Sequence, residues 1–98
     1  MRLKNYKDDL AKRLRDPEYA AEYLAQVLAQ KDSAAFLIAL KDVVDAGGGM
    51  GSLAGRSGLK RPSLYKILSK QGNPTLDTLQ EILKPLGLRV SVALDKAA

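Results

Sequence analysis

The sequence predicts an all-α domain of five helices that ends in a short β-strand, and three observations carry that expectation. Apolar residues recur at three- and four-residue steps between residues suited to capping helices. One short stretch pairs a small residue with a turn glycine, and residues 88–94 alternate apolar with polar. A chain of 98 residues holds one core, not two, so the whole of 1–98 is read as a single domain. With 46% hydrophobic residues but only 5% aromatic ones, that core is built from Leu, Ala, Val and Ile.

Residues 1–16 are polar and are read as an N-terminal extension. Asp16-Pro17 is the first strong helix start: an acceptor for free amides, followed by a proline that needs none. Tyr19, Ala20, Tyr23, Leu24, Val27 and Leu28 then form one stripe, ending near Gln30. Asp32-Ser33 caps a second helix, whose stripe of Phe36, Leu37, Leu40, Val43 and Val44 stops at Gly47-Gly48-Gly49. Two short patterns follow, Leu53-Ala54 and Leu64, Ile67, Leu68, separated by Gly58-Leu59. Thr75 caps the last helix, with Leu76, Leu79, Ile82, Leu83 and Leu86 on its apolar side. Pro85 has no amide for the Glu81 carbonyl, so that helix must kink or end early, and Gly87 allows a left-handed exit. In residues 88–94, LRVSVAL, Leu88, Val90, Val92 and Leu94 share one face of a predicted strand. A strand needs a partner, which the N-terminal segment, a second copy or another protein could supply.

Composition removes whole classes of chemistry. Without cysteine or histidine there are no disulfides, thiolate nucleophiles, imidazole bases or the usual N and S metal ligands, and no cofactor is expected. The N-terminal MRLKNYKDDLAKR has no apolar signal core, and no stretch approaches the roughly 20 apolar residues of a membrane span, so a cytoplasmic protein is expected. Asp8-Asp9 sits among lysines on a polar segment with no nucleophile nearby, and a solvated helix face accounts for it. The run Gly47-Gly48-Gly49-Met50-Gly51 lacks the preceding strand and the terminal Gly-Lys-Ser/Thr of a phosphate cradle. Nothing in the residues points to an enzyme.

The net charge of +5 is concentrated in one place. Residues 1–45 carry eight basic and eight acidic side chains, and residues 77–98 carry three of each. The whole excess falls in 46–76, where Arg56, Lys60, Arg61, Lys66 and Lys70 occur without a carboxylate, a pattern suited to a phosphate-facing surface. The same stretch holds a helix-turn-helix over residues 50–69. Ala54 lets a second helix cross close to the first, Gly58 tolerates the turn, and Leu53, Leu59, Leu64 and Ile67 lock both helices to the core. The outward residues then sort by position. Lys60, Arg61, Ser63 and Tyr65, at the start of the second helix, are placed to meet base edges in a major groove. Arg56, Lys66, Ser69 and Lys70 are placed for phosphates.

These residues resemble the Xre-type (Cro and phage-repressor-like) helix-turn-helix proteins, and so imply a lambda-repressor-like DNA-binding domain. Three segments are similar to the addiction-module antidote branch of that superfamily: Gly58 to Leu68, the Gly72 to Leu79 continuation, and Leu86 to Arg89. The likeness covers residues 35–93 well and the N-terminal third loosely. It implies an antitoxin that neutralises a RelE/ParE-like toxin and represses the shared operon as a homodimer on double-stranded operator DNA. Four positions depart from the pattern. Lys60 and Gly51 replace capping Ser or Thr residues, Met50 replaces a Gln that braces DNA contacts, and Pro85 interrupts the last helix. The final helix and residues 88–94 are assigned to dimerisation, and the segment through Arg15 to the toxin. A stand-alone phage-type repressor, or a protein-interaction module without DNA binding, are the alternative readings.

Overall fold

The computed structural model describes residues 3–96, with side chains from residue 6 onward. Its architecture is six α-helices, not five: α1 (Leu3–Leu14), α2 (Pro17–Ala29), α3 (Ser33–Ala46), α4 (Gly49–Ser57), α5 (Arg61–Ile67) and α6 (Leu76–Leu83), followed by a 3₁₀ turn, Lys84–Leu86. Among the described residues there is no strand, which corrects the expectation for residues 88–94. The physical reason is the lack of a partner. The N-terminal segment that could have paired with them is itself helical as α1, so nothing in one chain completes a ladder.

The extra helix is the segment read as an extension. Leu10 and Leu14 lie one turn apart on its inner side, Leu14 buried and Leu10 partly so, and α1 rests on α2 and α3. Lys12 and Arg13 in its last turn face the negative end of the helix dipole, and Arg15 Nε donates to the Ala46 carbonyl at 3.2 Å, tying the end of α1 to the end of α3.

The predicted caps hold where the cause is local. Asp16 accepts from the Glu18 amide at 3.1 Å, Asp32 from the Ala35 amide at 3.0 Å, and Thr75 from the Thr78 amide at 3.2 Å. Pro85 ends α6 at Leu83, and Gly87 leaves the 3₁₀ turn at φ 76°. Gly51 is not a cap. Helix α4 begins earlier, with Gly48 as its left-handed N-cap at φ 119°, because the glycine run supplies the turn itself.

Helix α3 is the hub, packing against α1, α2 and α4, while α4 also touches α5, α6 and the 3₁₀ turn. Leu40, Val44, Leu53, Leu64, Leu68 and Ile82 are almost wholly withdrawn from solvent, so the second half of the chain hangs on α3 through α4. Met50, at the position compared with a DNA-bracing Gln, points into this core at 3% exposure. Two residues expected on inner stripes face solvent instead: Leu28 is 58% exposed and Leu76 60%.

Candidate nucleic-acid interface

Helices α4 and α5 meet through a turn that the sequence specifies closely. Gly58 adopts φ 78° and its amide bonds to the Ala54 carbonyl at 3.2 Å, closing α4 with a left-handed residue. The Ser57 hydroxyl then accepts from the Leu59 amide at 3.1 Å and sets the path into α5. Lys60 is the N-cap of α5 and makes no side-chain cap bond, as its chemistry dictates, and Pro62 pre-orders the first turn. Leu64 and Leu68 anchor the inner side of α5, and Ile67 is partly buried.

The outer side of α5 is open. Lys60, Arg61, Ser63, Tyr65, Lys66 and Lys70 are all exposed, and none of these cations pairs with a carboxylate among the described residues. The Arg61 guanidinium lies 6.0 Å from the centre of the Tyr65 ring, one helical turn on, and a Cβ on Gly51 of α4 would stand 3.7 Å from it. Arg61 thus lies across the α4 surface at ordinary contact distance from Gly51, and Arg61 and Tyr65 form one flank. The ion pair nearest in kind, Lys41 with Asp45 at 3.0 Å, lies on α3, and its hydrogen bond holds the Lys41 ammonium above the usual lysine range.

Two predicted phosphate ligands are used differently. Arg56 turns away from α5: its guanidinium donates to the Pro85 carbonyl at 2.9 Å and the Gly47 carbonyl at 3.4 Å, joining α4 to the ends of α3 and of the 3₁₀ turn. Ser69 donates its hydroxyl to the Lys66 carbonyl at 2.8 Å, which satisfies an acceptor at the end of α5. Lys70 borders a surface hollow between α2 and α3 that also includes Tyr23, Asp32 and Asp42. Burial, then the charge and hydrogen bond of Asp42, raise the Tyr23 phenol above its usual range, and burial followed by the charge of Asp45 raises Asp42.

One determinant of this geometry was not read from the sequence. A Cβ at Gly72 would collide with the Ile67 carbonyl, so the chain after α5 passes against the helix end at a distance only glycine permits.

A family model described as "probable addiction module antidote protein" matches residues 4–94. The chain belongs to that family. An uncharacterised protein of Haemophilus influenzae is 34% identical over 90 residues, covering 92% of each chain. No solved structure matches the chain. The family match begins inside α1, so the antidote pattern includes the helix that the sequence alone suggested was an extension. No helix of the described residues is long and apolar enough to cross a membrane.

Proposed function

We propose that this antidote is the antitoxin of a type II toxin–antitoxin module and that it also represses its own operon by binding operator DNA through α5. One observation carries the DNA reading: Lys60, Arg61, Lys66 and Lys70 stand on and just beyond a helix whose opposite side is locked into the core, and none of the four forms an ion pair among the described residues. In this reading α5 enters the major groove, with Lys60, Arg61, Ser63 and Tyr65 toward base edges. Arg61 is the strongest candidate for bidentate contact to guanine, worth roughly 1–3 kcal/mol of discrimination. Lys66 and Lys70 take phosphates, whereas Arg56 and Ser69 stay with the carbonyls that already hold them.

The repressor acts as a two-fold dimer on half-sites one helical turn apart. The neutralised partner is a RelE/ParE-like toxin, a role supported by the family description, and the solvent side of α1, where Tyr6 is 58% exposed, is the surface assigned to it. The test is a gel-shift assay with DNA from upstream of the gene, run beside co-purification with the neighbouring toxin. The double variant Arg61→Ala/Lys66→Ala is expected to lose the shifted band and keep the toxin. Unchanged DNA binding would overturn the assignment of α5.

A further inference from the structure

Past the 3₁₀ turn the chain leaves the helical body with its apolar side uncovered. Val92 is 99% exposed, Leu94 87% and Val90 38%, and no backbone hydrogen bond involves residues 89–94 among the described residues. Beside this tail runs a groove of about 370 Å³ whose lining includes Leu24, Leu28, Phe36, Leu79, Leu83 and Val90. Apolar alternation at period two serves no purpose in an unpaired segment, because only a ladder presents alternate side chains as a face.

We infer that two copies of the chain join by pairing these tails as an antiparallel two-stranded ribbon centred on Val92, with the apolar face of the ribbon laid against the two grooves. The inference rests on the dimeric part of the reading above and not on its DNA part. The register follows from the sequence. In a symmetric antiparallel pair, directly opposite residues share a face, so a two-fold axis between residues would set one strand's apolar row over the other's polar row. The axis must therefore pass through a residue. Placing it at Val92 sets Val92 against itself, Val90 against Leu94, Ser91 against Ala93, and Arg89 against Asp95. That register alone pairs the three exposed apolar residues with one another; moving the axis to Ser91 or Ala93 sets Leu94 opposite Leu88, which already packs on the core, or Val90 opposite Lys96.

The second copy's Leu94 then lies beside Val90, at the rim of the groove. Leu28, Val90, Val92 and Leu94 leave residue surface on the order of 500 Å² per protomer in water, backbone included, more than half of the ~800 Å² per partner of a standard interface. A patch of that size is at the upper end of what a monomer leaves in water.

The register makes cysteine crosslinking decisive, since the chain has no cysteine of its own. Opposed residues in an antiparallel pair lie within disulfide reach. The full-length Val92→Cys variant is expected to crosslink to itself under mild oxidation. Leu94→Cys alone is not, whereas a mixture of Val90→Cys and Leu94→Cys chains is expected to form the mixed dimer. In sedimentation, Val92→Asp, a change at a fully exposed site, is expected to raise the dimer dissociation constant roughly 100-fold or more, since two carboxylates would meet on the axis. Its helical circular dichroism stays unchanged. A wild-type chain that stays monomeric at about 100 μM overturns the inference. So does a dimer indifferent to Val92→Asp, or a Val92→Cys chain that crosslinks no better than Leu94→Cys. A chain that crosslinks as expected but ignores operator DNA upholds the ribbon and fails the repressor reading. A DNA-binding dimer untouched at Val92 does the reverse.

Discussion

The α4–α5 segment and the tail 88–94 both leave something unmatched at the surface, and they differ in what is missing. Around α5 the unmatched groups are cations, held on a helix whose inner side is fully packed. In the tail they are apolar side chains and backbone groups, with nothing packed behind Val92 or Leu94. The first surface is complete as structure and incomplete only in charge; the second is incomplete as structure. In the proposed reading a polyanion satisfies the one without altering the fold, while the other becomes a strand only against a second copy.

Gly72 lets the chain pass the end of α5 and so holds the cationic helix in place. Gly72→Ala is expected to cost about 2–3 kcal/mol and to lower the melting temperature by roughly 10–20 °C, because its Cβ would enter the Ile67 carbonyl. An unchanged melting curve would mean that α5 is not held by this approach.

Arg56 and Arg61, five residues apart, sharpen the contrast within the cationic segment. Arg56→Ala removes the donor to the Pro85 and Gly47 carbonyls and is expected to destabilise the fold by about 1 kcal/mol. Arg61→Ala is expected to leave thermal stability within about 0.5 kcal/mol of the wild type, since its guanidinium meets only Tyr65 and the α4 surface. Thermal denaturation of the two variants side by side checks this, and equal losses would erase the distinction.

A smaller effect of opposite sign is expected at Gly55. It lies inside α4 with open space where a Cβ would go, so Gly55→Ala should stabilise the protein by about 0.5–1 kcal/mol in urea denaturation.

The smallest effect concerns Asp42, whose carboxyl burial raises above its usual range. The folded chain therefore binds that proton more tightly than the unfolded one, so this group lowers stability as pH rises from the ordinary carboxylate range through the raised value. Asp42→Asn is expected to raise the melting temperature slightly at neutral pH, and the gain should vanish in acid, where both states are protonated. A gain that grew on acidification would reverse the sign.

What the sequence made legible was whatever a few neighbouring residues decide. Asp16, Asp32 and Thr75 cap helices because the amides they accept from lie two or three residues away, and Gly58 and Pro85 act through their own backbones. Helix α1 was missed because it has no cap signal and, among its described side chains, only Leu14 is fully buried, so its place depends on contact with α2 and α3. The fate of Arg56 was illegible for the same reason: the carbonyls it meets are 9 and 29 residues away. In the interface, the exposure of Lys60, Arg61, Ser63, Tyr65, Lys66 and Lys70 followed from helical periodicity, whereas the hydrogen bond that occupies Ser69 depends on where α5 ends. The tail shows the limit differently. Its apolar residues alternate with polar ones, but alternation alone makes no strand, and among the described residues this segment forms none.

The salt dependence of operator affinity tests directly whether the α5 cations meet phosphates. Five local cations in the sequence set a ceiling of roughly 4–5 on the log–log slope per monomer; with Arg56 bound to carbonyls that ceiling falls to roughly 3–4, and Lys66 and Lys70 at phosphates supply about 2 of it. Lys66→Ala should reduce that slope by about 0.9, and Arg56→Ala should leave it unchanged. A flat salt response, or a slope that falls with Arg56 and not with Lys66, would contradict the assignment of α5 to DNA.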